Sequence, residues 1–225
     1  MDTLLETVEH ETGPDPRWSV LWLHGLGADG HDFAPIVPEL VRPEWPALRF
    51  VFPHAPVRAV TINAGMRMRA WYDIRALDFA QRADESGVNE SIEQVEALVV
   101  REAERGVPAH RLILAGFSQG GAITLASGLL RATPFAGLVA LSTYLPMHDR
   151  AAQRLANGAN AQPVFMGHGL QDPVVPFVAG AASAQMLASL GFQVDFHRYA
   201  MAHSVCAEEI RDLGDWLTQR FAHAG

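Results

Sequence analysis

Gly116-Phe117-Ser118-Gln119-Gly120 sets a serine between glycines two residues before and two residues after it, and the chemistry this spacing serves is nucleophilic. An apolar run of strand type, Leu112-Ile113-Leu114, leads in, and small or apolar residues at helical spacing follow. The serine therefore falls at a strand-to-helix junction. The turn such a junction needs is tight enough that its flanking positions must be nearly free of side chain, which Gly116 and Gly120 satisfy. Ser118 is then lifted out of the chain with its hydroxyl exposed. Gly-x-Ser-x-Gly is short enough to arise by chance as a flexible turn, so its surroundings must carry the reading.

A serine hydroxyl is a poor nucleophile at neutral pH and requires a base within hydrogen-bond reach, itself oriented by a carboxylate. In open α/β sheets such groups come from loops at the carboxyl ends of strands. Of the ten histidines, this rule selects His203, which follows the last predicted strand and precedes the last predicted helix. His197 lies inside that strand, Gln193 to Tyr199, where alternation with Phe196 turns it to the opposite face. For the acid, Asp172 follows a strand ending near Gly169, whereas Asp195 is mid-strand and Asp212 and Asp215 lie on the last helix. An aspartate before proline is also an ordinary turn former. Only the combination persuades: Ser118, Asp172, His203 is the chain order of α/β-hydrolases.

The elements that must position these groups alternate from end to end. Thr3 to His10 reads as a short edge strand or hairpin arm, Ser19 to Leu23 as a buried strand running into the glycine-rich loop His24 to Gly30, and Leu48 to Phe52 as another strand. A glycine-rich loop after a strand can aim free N–H groups at an anion, but the Gly-x-x-x-x-Gly-Lys pattern of a phosphate loop is missing. Helices are expected over Phe33 to Val41, from Val88 to Ala103, over Ala122 to Arg131, Ala151 to Ala156 and Val178 to Leu190, and from Ser204 onward. Further strands are expected over Phe135 to Leu141 and Pro163 to Gly169. Val57 to Gly87 shows little periodicity yet carries Met66, Met68, Trp71, Tyr72, Ile74, Leu77 and Phe79. A disordered linker would not. It reads as an ordered flap, with plain packing the competing reading. The expected fold is α/β, a mainly parallel sheet with helices on both faces, in one domain over residues 1–225 with 57–87 as a flap near the site.

Composition narrows the functional classes. With 225 residues, 49% hydrophobic and a net charge of −8, the chain has the size for a sizeable core and no nucleic-acid footprint. Its one cysteine, Cys206, excludes an internal disulfide or cysteine zinc site and reads as packing on the apolar face of the last helix. Acidic residues stand where a secretory signal would be basic, so a cytoplasmic location is expected. Residues 112–130 are uncharged, but Ser118-Gln119-Gly120-Gly121 interrupts them, and a buried strand and helix explain the run better than a membrane span.

Several ordered segments resemble the carboxylesterase and acyl-protein thioesterase family, also described as the phospholipase/carboxylesterase family of small α/β-hydrolases. They are Leu23-His24-Gly25-Leu26-Gly27, Pro53-His54-Ala55-Pro56, Ala70-Trp71-Tyr72-Asp73-Ile74, Asp84-Glu85-Ser86-Gly87, Gly116 to Gly121, Leu141 to Pro146, His168 to Pro176 and His203-Ser204. Met66-Arg67-Met68-Arg69 is more like bacterial members. The resemblance implies an oxyanion hole from the backbone N–H groups of Leu26 and Gln119, in agreement with the rule that one donor follows the nucleophile and the other comes from an earlier loop. The flap is expected to line a substrate groove, with Met66, Trp71, Tyr144 and Val174 as its substrate-binding residues. The implied activity is a serine carboxylesterase acting on short- to medium-chain esters through an acyl-enzyme, with acyl-protein thioesterase or lysophospholipase as alternatives. A ligand-binding module on the same fold is the non-enzyme alternative. No cofactor or metal is called for; the expected partner is a small acyl ester, without nucleic acid or stable membrane insertion, and a homodimer is compatible with the resemblance.

Overall fold

Every residue of the strand Trp18–Leu23 is buried, because successive side chains enter two different apolar layers. Leu21 and Leu23 pack into one core and Val20 and Trp22 into the other. The computed structural model describes residues 4–76 and 83–222. Its strands are β1 (Thr7–Glu11), β2 (Trp18–Leu23), β3 (Leu48–Pro53), β4 (Val57–Val60), β5 (Met66–Arg69), β6 (Leu112–Phe117), β7 (Gly137–Leu141), β8 (Val164–Gly169) and β9 (Val194–Tyr199). Its helices are α1 (Val37–Leu40), α2 (Glu85–Glu104), α3 (Gln119–Leu130), α4 (Ala151–Arg154), α5 (Phe177–Ser189) and α6 (Ala207–Ala222).

Seven strands form one sheet in the order β1-β3-β2-β6-β7-β8-β9. Only the edge strand β1 runs antiparallel to its neighbour; the others are parallel. One face is covered by α2, α3 and α5 through Val95, Leu98, Ile123, Leu125 and Leu187. The other is covered by α1 and α6 through Val37, Leu40, Leu213, Trp216 and Leu217. The chain thus has the α/β-hydrolase fold, with a mostly parallel sheet between helical layers. No helix among the described residues is long and apolar enough to cross a membrane.

Several boundaries differ from the sequence reading for local reasons. The helix expected over Phe33 to Val41 is a 3-10 turn, Ala34–Ile36, followed by the four residues of α1, because Pro35 and Pro38 withhold backbone donors. The helix α2 starts at Glu85, three residues earlier than the apolar periodicity shows, with the Val88 N–H bonded to the Asp84 carbonyl at 2.9 Å. The last helix starts at Ala207 rather than Ser204; Cys206 precedes it, half-buried, with its carbonyl accepting the Ile210 N–H. The segment expected to lack regular structure holds the antiparallel hairpin β4–β5. Leu77 and Phe79 lie outside the described residues.

On the α6 side, the carboxyl of Glu209 lies fully buried over Gly167 of β8, where a Cβ would collide with it. Neither carboxyl oxygen has a full hydrogen-bond partner. Burial foremost, with the nearby Asp212 charge, pushes this carboxyl up to about 8, and the Cys206 backbone N–H offsets only part of the effect. The folded state therefore holds a proton that the unfolded chain releases above about pH 4.5, so this contribution to stability is present at low pH and is lost as pH rises through 8. Glu209→Gln is expected to melt higher than the parent at pH 8, on the order of 5 °C, with the gap closing toward pH 5. Thermal melts across that range check it; a constant gap would mean that Glu209 does not titrate there.

Candidate active site

At the end of β6 the backbone reverses into α3 through Ser118, whose φ of 53° and ψ of −117° put a side-chain-bearing residue in a sparsely populated region. The surroundings hold it there. The Ser118 N–H donates to the Leu141 carbonyl at 2.9 Å, and its carbonyl accepts the Thr143 hydroxyl at 2.6 Å. Cβ atoms at the flanking glycines would strike backbone: one on Gly116 would lie 2.6 Å from Gly121 N, and one on Gly120 would lie 2.6 Å from the His24 carbonyl oxygen.

Asp172 sits in the loop after β8 and His203 in the loop after β9. The Asp172 carboxylate is anchored through Oδ1, which accepts the N–H groups of Val174 at 2.8 Å and Val175 at 2.9 Å. Its Oδ2 accepts His203 Nδ1–H at 2.7 Å. With Nδ1 protonated toward the carboxylate, His203 Nε2 faces Ser118 Oγ as an acceptor at 2.9 Å. The Phe117 ring lies 4.8 Å from the His203 ring and covers one side of it. Three residues that are 31 and 85 positions apart in pairs thus share one hydrogen-bonded line. His197, in contrast, stands on the α6 side, 2.9 Å from Asp195 Oδ1 and stacked on Phe165.

Two more histidines are buried around this line, and sequence reasoning did not assign them a role. His168 Nε2–H donates to the Val175 carbonyl at 2.8 Å, holding the turn whose amides grip Asp172; burial keeps its pKa below the usual value, which favours the neutral ring. His24 Nδ1–H donates to the Gly25 carbonyl at 2.7 Å while Nε2 accepts the Ala55 N–H at 3.0 Å. Burial pushes His24 down to about 4. Its place at the start of the glycine-rich loop was the available signal.

The loop after β2 adjoins the serine, since a Cβ on Gly25 would lie 3.6 Å from Ser118 Cβ. Among the described residues, the backbone N–H groups of Leu26 and Gln119 have no acceptor, whereas the next one along the loop, Gly27 N–H, donates to the Arg69 carbonyl at 2.9 Å. Of the four residues expected in the groove, Met66 is 64% and Val174 47% exposed. Trp71 at 0% and Tyr144 at 4% exposure are interior residues. The physical reason is polar: the Trp71 indole N–H donates to the His24 carbonyl at 2.9 Å, and the Tyr144 hydroxyl is 2.8 Å from that of Tyr72.

Among the described residues, one trio of possible cation ligands, Asp29, His31 and His54, has ligand atoms within 4.8 Å of one another. Two of its atoms already serve the loop: His54 Nδ1 accepts the Gly30 N–H at 3.0 Å and Asp29 Oδ1 accepts the His31 N–H at 2.8 Å.

Residues 6–220 match the profile of the phospholipase/carboxylesterase family. The chain belongs to that family. It is similar to an acyl-protein thioesterase 1 of Cryptococcus neoformans, 37% identical over 218 residues that cover 89% of this chain and 91% of the relative. A probable carboxylesterase of Oryza sativa is also 37% identical, with 89% of this chain and 77% of that protein covered. Among solved structures, the crystal structure of Arabidopsis thaliana SOBER1 superposes with a TM-score of 0.86 at 33% identity, covering 91% of this chain and 99% of that one. As a member of this family the chain is a serine hydrolase.

Proposed function

We propose that this family member hydrolyses acyl thioesters and, with them, carboxylic esters of short- to medium-chain acids, with Ser118 as nucleophile, His203 as base and acid, and Asp172 as the group that orients His203. The observation that carries the reading is the hydrogen-bonded line from Ser118 Oγ to His203 Nε2 at 2.9 Å and from His203 Nδ1 to Asp172 Oδ2 at 2.7 Å. Ser118 Oγ attacks the acyl carbon as its proton passes to His203 Nε2. The negative charge that develops on the acyl oxygen is met by the N–H groups of Leu26 and Gln119, each worth about 3 kcal/mol in the transition state. His203 then protonates the departing thiolate or alkoxide. Water, deprotonated by the same imidazole, attacks the acyl-serine and releases the acid. The mechanism needs no metal or organic cofactor, and we place the reaction in the cytoplasm.

Four fungal relatives bear the name acyl-protein thioesterase 1, which favours thioesters as the substrates. The chemistry agrees, since a thiolate with a conjugate acid near pKa 8.5 leaves far more readily than an alkoxide. Exposed Met66 and Val174 supply apolar surface for an acyl chain. The test is a matched series of thioester, ester and amide with one acyl group. Thioester and ester turnover with kcat/KM at least 100-fold above the amide is expected. Amide cleavage at a comparable rate would point instead to an amidase.

A further inference from the structure

We infer that Trp71 and the side chain of Gln119 are positioning residues that set the separation of the two oxyanion donors, and hence the rate of acyl transfer. The inference rests on the function proposed above and concerns side chains whose polar groups are bonded within the protein. The strap Arg69 to Tyr72 is hydrogen-bonded both to the loop that bears Leu26 and to the start of α3 at Gln119. Toward the first loop, the Arg69 carbonyl accepts the Gly27 N–H at 2.9 Å and the Trp71 indole N–H donates to the His24 carbonyl at 2.9 Å. Toward the elbow, Gln119 Oε1 accepts the Trp71 backbone N–H at 2.8 Å and Gln119 Nε2 donates to the Tyr72 carbonyl at 2.7 Å. The donors proposed for the oxyanion are thus neighbours of groups clamped to a single short segment.

That segment is itself fixed. The Ser91 hydroxyl of α2 donates to the Trp71 carbonyl, and a Cβ on Gly87 would lie 3.1 Å from Tyr72 Cβ, so the helix packs directly on the strap. Trp71, Gln119 and His24 are all buried, so no water competes for these bonds and loss of one leaves a buried polar group unpaired. Both N–H groups of Trp71 are used inside the protein. Its action on the reaction therefore goes through the backbone it holds. An ångström of drift at an oxyanion donor is enough to cost about 100-fold, because the donor must meet the oxygen where charge develops.

Two variants test this. Trp71→Phe keeps the ring and loses the indole donor; Gln119→Met keeps the length and the backbone N–H and loses both amide bonds. Each is expected to lower kcat by roughly 10- to 100-fold with KM changed less than about threefold. Phosphonylation of Ser118 by a fluorophosphonate, which develops charge at the same oxygen position, is expected to slow in parallel. The pH at which activity is half-lost on the acid side is expected to stay at the parent value, since His203 and Asp172 keep their contacts. Ser118→Ala in the same assay separates the two levels of the argument. If it stays active, the proposed function falls; if it is inactive while both variants keep kcat within twofold, only the positioning role falls. A rise in KM with kcat unchanged would make Trp71 a substrate contact. Failure of both variants to fold would also overturn the inference, because the bonds would then be holding the core rather than the spacing.

Discussion

Ser118→Ala is expected to lower kcat by on the order of 10,000-fold or more while leaving the melting temperature within about 2 °C of the parent. The large effect follows from what the hydroxyl does in the proposed reaction. It is the atom that forms the acyl-enzyme, and removing a nucleophile leaves only what binding and the oxyanion donors contribute on their own. The small effect follows from the backbone. Alanine carries the same Cβ into the same φ of 53°, so the strain at the turn is unchanged, and the bonds that hold the turn come from the Ser118 N–H and carbonyl. Only the Oγ to His203 contact is lost. The measurement is steady-state turnover on a thioester beside a thermal melt, with mass spectrometry of the peptide containing residue 118 after fluorophosphonate treatment. An adduct on the parent peptide and none on the variant is the expected result; retained turnover by a folded variant would remove Ser118 from the mechanism.

Gly120→Ala is expected to cost stability and activity together. The added Cβ would lie 2.6 Å from both the His24 carbonyl oxygen and the Leu23 carbonyl carbon, separations that side chains do not adopt, and both obstacles are backbone. Gly120 carries no positive φ, so the constraint is the close approach of α3 to the end of β2 and owes nothing to glycine's conformational freedom. Relief requires the elbow and the Leu26 loop to move apart. That costs about 3 kcal/mol by comparison with other overpacked interiors, or roughly 6 to 12 °C for a chain of this size. The same movement separates the proposed oxyanion donors, so kcat is expected to fall at least 100-fold in the protein that remains folded. A variant melting within 2 °C of the parent would show that the loop after β2 can back away freely.

The residues themselves account for much of what was legible. Leu112-Ile113-Leu114 followed by two flanking glycines demands a strand, a crowded turn and a helix, because each is a local steric or hydrophobic requirement. His203 and Asp172 were distinguishable from His197 and Asp195 because strand alternation and the carboxyl-end rule depend on position along the chain, and the fold brings the selected pair and Ser118 within hydrogen-bond distance.

What local sequence could not decide was which way the bulky residues of an irregular segment face. Trp71 and Met66 look alike as apolar residues in a region without periodicity, yet one is wholly buried and the other largely exposed. The difference lies in partners 47 and 48 residues away, the His24 carbonyl and the Gln119 amide, which exist only once β2, β6 and the strap are assembled. Glu209 is a like case. A glutamate in the first turn of a helix is ordinarily solvated, and only the docking of α6 on β8 over Gly167 buries it and drives its carboxyl toward the neutral form. Sequence determined most of the elements and singled out Ser118, Asp172 and His203 through short-range sterics and periodicity; the tertiary structure decided the β4–β5 hairpin, the burial and the long-range hydrogen bonds, because those depend on surfaces that meet only after the sheet has formed.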